Sequence, residues 1–99
     1  MDRAQFYKEV YSIIKEIPYG NVSTYGKIAQ LIGKPQCSRM VGQALSHAPE
    51  EQHLPCHRVV NSQGRLVPGW QKQKELLEKE GITFKPNGCV NMPKHLWDT

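Results

Sequence analysis

Apolar side chains recur at three- and four-residue intervals from Phe6 through Tyr7, Val10, Tyr11, Ile13 and Ile14 to Ile17. That spacing paints one face of an α-helix. It predicts a helix over residues 3 to 16, with Asp2 as N-cap and Pro18-Tyr19-Gly20-Asn21 as stop and turn. A second helix is predicted over 24 to 32, capped by Ser23 or Thr24 and ended by Gly33. Ile28, Ala29, Leu31 and Ile32 face inward. A third, over 36 to 47, starts near Pro35 and buries Met40, Val41, Ala44 and Leu45.

The rhythm then changes. Residues 58 to 68, RVVNSQGRLVP, place two apolar or β-branched runs around Asn61-Ser62-Gln63-Gly64. They predict a β-hairpin over about 58 to 67 that would act as a wing. A charged helix is predicted over 71 to 80, anchored by Leu76 and Leu77 and closed by Gly81. Residues 82 to 99 lack a period, but Phe84, Val90, Met92, Leu96 and Trp97 predict a segment folded back on the body. The expected architecture is a single domain over 1 to 99, mainly α with a small β-hairpin. The helices flanking Gly33-Lys34 read as a helix-turn-helix. On the second of them, Ser38, Gly42, Gln43 and Ser46 surround Arg39. Such a face suits either close approach to a nucleic-acid groove or close packing within the protein.

Composition narrows the partners. Thirteen Lys and Arg against nine Asp and Glu give a net charge of +4, which favours a polyanion without establishing one. No window reaches the length of a membrane span and no secretory signal is evident, so a monomer in the cytoplasm, or in a eukaryotic nucleus, is expected. Cys37, Cys56 and Cys89 are an odd set at long spacings, unsuited to a disulfide framework or a zinc site. No metal or cofactor is called for. Cys56 is followed by His57 and Arg58, neighbours that would lower a thiol's pKa and make it a nucleophile. Pro55 would stiffen its approach. Read alone, such a cysteine is more often packing than catalysis.

Pro55-Cys56-His57-Arg58-Val59 resembles the active-site signature of the O6-alkylguanine-DNA alkyltransferases. Ile17-Pro18-Tyr19-Gly20, Val22-Ser23-Thr24-Tyr25 and Ser38-Arg39-Met40-Val41-Gly42-Gln43-Ala44-Leu45 resemble that family's other blocks, in the same order. The likeness covers roughly residues 6 to 81 and is nearest to the short alkyltransferase-like proteins. It implies a winged helix-turn-helix like the family's C-terminal domain, bound in the minor groove of duplex DNA containing O6-alkylguanine. By the same resemblance, Tyr25 pushes on the phosphate to rotate the damaged nucleotide outward, and Arg39 fills the vacated space. Gly42, Pro55 and Arg58 belong to the DNA- and lesion-binding surface, with Arg58 beside the alkyl pocket. Cys56 takes the alkyl group and His57 accepts the proton through water.

Several positions depart from the family pattern. Alkyltransferase-like proteins carry Trp or Ala where this chain keeps Cys56. A gapless alignment puts Lys74 where active enzymes have a Glu that polarises the His. Ala48 replaces an Asn that orients the turn. The loop Leu66-Val67-Pro68-Gly69-Trp70 is several residues short, and Trp70 either covers the pocket or packs on the hairpin. Two functions stay open: a single-turnover methyltransferase, or a lesion-binding module that hands damage to nucleotide excision repair.

Overall fold

The computed structural model describes residues 2–99. Along the chain run α1 (Arg3–Ile14), β1 (Ser23–Thr24), α2 (Tyr25–Ile32), α3 (Ser38–Ser46), β2 (Val59–Val60), α4 (Lys72–Lys79) and α5 (Met92–His95). Single 3-10 turns lie at Pro35–Cys37, Glu50–Gln52 and Cys56–Arg58. Asp2 starts α1 by accepting from the Ala4 amide at 3.0 Å, which satisfies one otherwise orphaned donor. The helix ends at Ile14, two residues early, yet Ile17 still completes the buried stripe of Phe6, Val10 and Ile14.

Thr24 caps α2, its hydroxyl accepting from the Lys27 amide at 3.0 Å. At the other end Gly33 adopts φ +89°, and the amides of Gly33 and Lys34 return to the carbonyls of Gln30 and Ala29. This left-handed termination turns the chain into Pro35–Cys37, from which α3 departs. The helix-turn-helix is therefore present, with α3 beginning at Ser38 because its approach winds as 3-10. Leu31 is 40% exposed rather than inward. Ile28, Ala29 and Ile32 centre the buried stripe, and Leu31 falls on its far flank.

The hairpin over 58 to 67 does not form. β2 pairs instead with β1, in parallel, Ser23 opposite Val59 and Thr24 opposite Val60. The Asn61 side chain accepts from the amides of Gln63 and Arg65 at 2.9 and 2.8 Å, a local turn that outcompetes a ladder. Backbone groups beyond the turn bond outside any hairpin: the Gly64 carbonyl accepts from the Val90 amide, and the Val67 amide donates to Gln73. The C-terminal segment packs on the body as expected, with Leu96 bridging Val22 in parallel and Phe84 bridging Val90.

Successive strand residues point to opposite faces, and β2 uses this to join two cores. Val59 enters the cluster formed by Phe6, Val10, Ile14, Ile28 and Val41, and Val60 enters the one formed by Val22, Leu77, Ile82 and Val90. Gly64 fixes the turn against the second core. It sits at φ +85°, and a Cβ there would lie 2.7 Å from the Val90 carbonyl oxygen. Gly64→Ala is expected to cost about 2–4 kcal/mol through strain and overpacking, read as a lower urea midpoint with an unchanged m-value.

Candidate functional site

Cys56 opens the 3-10 turn between Pro55 and β2. Its amide donates to the Leu54 carbonyl at 2.8 Å, and the Arg58 amide donates to the Pro55 carbonyl at 3.0 Å. With Val59 anchored in the helical core, the turn holds Cys56 at the wall of a cavity of about 530 Å³. That size lies within the range of roughly 300–1,000 Å³ typical of small-molecule pockets. Tyr25, Gly42 and Ser46 line it from α2 and α3, and Val67 and Trp70 from the short loop. Arg39 is exposed on α3, three and seven residues before Gly42 and Ser46 and hence on their face. Burial pushes the Cys56 thiol above its ordinary pKa, and hydrogen bonding to backbone offsets this only in part.

The electropositive surroundings read from the motif are directed away from the thiol, onto a carboxylate. His57 Nε2 and Glu80 Oε2 are 2.6 Å apart. Arg58 Nε donates to both Glu80 oxygens at 3.0 Å, and Nη2 lies 2.9 Å from Oε2. The Gly20 amide donates to Glu80 Oε1 at 2.9 Å, and Arg58 Nη1 donates to the Ile17 carbonyl at 2.8 Å. Burial alone would raise the Glu80 carboxyl. Hydrogen bonds from Arg58, Gly20 and His57, together with the Arg58 charge, outweigh it and hold the pKa below the usual range. An ionised carboxylate only accepts, so His57 carries its proton on Nε2. Nδ1 is left as the ring's proton acceptor.

Residues 5–82 match the family described as 6-O-methylguanine DNA methyltransferase, DNA binding domain. The chain belongs to that family. It is 43% identical to Alkyltransferase-like protein 1 of Schizosaccharomyces pombe, over 94% of each chain. It is equally 43% identical to a DNA base-flipping protein of Vibrio parahaemolyticus, over 94% of this chain and 96% of the relative. A crystal structure of the S. pombe protein in complex with damaged DNA containing O6-carboxymethylguanine superposes with a TM-score of 0.88, covering 100% of both chains at 42% identity.

Within this methyltransferase-family domain, the sequence-derived site divides. Tyr25, Gly42, Cys56 and Trp70 line one cavity; Pro55 and Arg58 are outside its lining. Pro55 shapes the turn, while the Arg58 guanidinium braces Glu80 and lies 5.6 Å from the Tyr19 ring centroid. Arg58, which the resemblance placed beside the alkyl pocket, spends its guanidinium on Glu80. Trp70, whose side the sequence left open, joins the cavity wall.

The polarising Glu read as missing is Glu80, not the position of Lys74. Lys74 stands over the Phe84 ring at 5.6 Å, whereas α4 ends at Lys79 and its C-cap, Glu80, turns back to His57. A carboxylate at a helix C-terminus opposes the helix dipole. Its placement directly before Gly81 was the available sequence signal. Ala48 does line the cavity, but its turn is organised without an Asn, through Glu50–Gln52 and His53 at φ +49°. His53, read as structural, is also part of the cavity wall.

Proposed function

We propose that this protein recognises O6-alkylated guanine in duplex DNA and receives the extruded nucleotide in the cavity that ends on Cys56. One observation carries the reading: a single cavity joins Tyr25, the small-residue face of α3 and a cysteine held in a fixed turn. α3 enters the minor groove, Tyr25 presses on the phosphate and Arg39 occupies the gap. A modified base in a poor pair costs less to unstack, and a side chain wedged in its place holds the DNA open. That a relative 42% identical to this chain was crystallised with damaged DNA supports lesion recognition.

The same site supports alkyl transfer. Cys56 sulfur bonds to the alkyl carbon as the carbon–O6 bond breaks, and the electron pair stays on guanine. The thiol proton passes through water to His57 Nδ1 and on to the departing guanine, with Glu80 stabilising the imidazolium that forms between. Because burial keeps the resting thiol protonated, deprotonation accompanies the reaction. That raised pKa, and Ala48 in place of Asn, favour a second reading in which Cys56 is inert and the bound lesion is passed to nucleotide excision repair.

Intact-mass spectrometry after incubation with O6-methylguanine duplex decides between them. Transfer is expected to add one methylene mass stoichiometrically, and Cys56→Ala to abolish the gain while retaining lesion binding. Tight binding with no mass change would leave the second reading standing. No preference for the lesion over undamaged duplex would overturn both.

A further inference from the structure

The charged stretch QKQKELLEKE buries a residue that its pattern gives no reason to bury. Gln73 is fully enclosed, at 0% exposure, one helical turn before the core residue Leu77. Its side chain spans two segments. Oε1 accepts from the Val67 amide at 2.8 Å. Nε2 donates to the carbonyls of His57 and Val59, both at 3.2 Å. The Gln73 amide also donates to the Trp70 carbonyl. One residue therefore ties the loop that carries Val67 and Trp70 to the turn that carries Cys56 and His57.

Both segments meet at one cavity: Val67 and Trp70 line it together with Cys56. Inside a low-dielectric core each of these bonds is costly to lose, because no water replaces it. A carboxamide is the one neutral side chain group that both accepts from an amide and donates to two carbonyls. Lys in this position would supply no acceptor for Val67. An ionised Glu would supply no donor and would face two carbonyl oxygens.

We propose that Gln73 is a positioning residue that fixes the separation between the Val67–Trp70 wall and the Cys56–His57 turn, and so sets how well the cavity holds the flipped base. This rests on the lesion-recognition reading above. Non-specific DNA binding, dominated by phosphate contacts, does not depend on the span.

The test compares wild type, Gln73→Ala and Gln73→Glu by fluorescence anisotropy, on undamaged and O6-methylguanine duplexes from pH 5.5 to 8. Both variants are expected to lose at least tenfold in preference for the lesion at pH 8, with affinity for undamaged duplex within about twofold of wild type. A buried Glu takes up a proton readily, and the protonated carboxyl again offers an acceptor and a donor. Gln73→Glu is therefore expected to regain most of its preference at pH 5.5, relative to wild type, and Gln73→Ala to regain none. Retained preference in either variant at pH 8, or equal pH profiles for the two, would overturn the inference.

Hydrogen exchange on the wild type gives a reading independent of whether the variants fold. The Val67 amide is expected to exchange as slowly as core amides such as Val59. Exchange at the rate of an open loop would also overturn it. A wild type with no preference for the lesion would instead defeat the underlying reading, which keeps the two failures apart.

Discussion

Glu80→Ala is expected to destabilise the protein by about 3–5 kcal/mol, because it leaves the Arg58 guanidinium enclosed without its counter-charge. Arg58 and Glu80 side chains are only 16% and 5% exposed, so solvent does little to screen the loss. In a domain of this size that amounts to a fall in Tm of about 15 °C or more. Glu80→Gln keeps the volume and one acceptor, and is expected to lose roughly half as much. Ala releases His57 from its tautomer and Gln, able to accept or donate, no longer dictates it, so any mass gain at Cys56 should slow by more than the change in folded fraction. The sign of the pH effect comes from the lowered Glu80 pKa. Its contribution is complete above the unfolded value of about 4.3 and fades as pH falls through the lower folded value. Acid titration of Glu80→Gln should therefore lack that component. An identical acid limb in wild type and variant would show that the carboxylate is not what the clamp depends on.

Arg39→Ala and Tyr25→Phe separate the parts of base extrusion. Arg39→Ala is expected to weaken binding to O6-methylguanine duplex by about 10–100-fold, the scale of a few kcal/mol for unstacking a base. Tm should be unchanged, since Arg39 is exposed. A side chain lodged in the stack neutralises no phosphate, so the slope of log K against log salt should stay as in wild type. A decrease of about one unit would assign Arg39 to the backbone instead. Tyr25 packs against the helical core, so replacement by Phe preserves the fold while removing the hydroxyl. It is expected to lose lesion affinity without losing stability.

The helical half was legible because its information is local. Asp2 and Thr24 cap, Gly33 terminates, and Phe6-Val10-Ile14 mark one stripe at helical spacing. The parallel pairing of β1 with β2 was not, since residues 23–24 and 59–60 are linked only through the tertiary fold. Val59-Val60 beside a turn looks the same whichever strand it meets. Asn61 favoured a turn, correctly, but nothing nearby shows that the amides beyond it bond to Gln73 and to the C-terminal segment. Motifs singled out Cys56, Tyr25 and Gly42, which the fold gathers on one cavity. Glu80 was displaced onto Lys74 because a gapless register says nothing of where a helix ends and its cap turns inward. Gln73 was hidden by charged neighbours, as a buried amide in an exposed-looking helix leaves no periodic trace.

The sharing of Val59 and Val60 between two cores bears on how far the domain extends. The family match ends at residue 82, yet the cluster around Val60 is closed by Val90. A chain cut at that boundary would expose Val60, and the disturbance would pass through one peptide bond to Val59 and the turn bearing Cys56. The two halves should therefore open as a single unit, with slow-exchanging amides on both sides of β2 lost together.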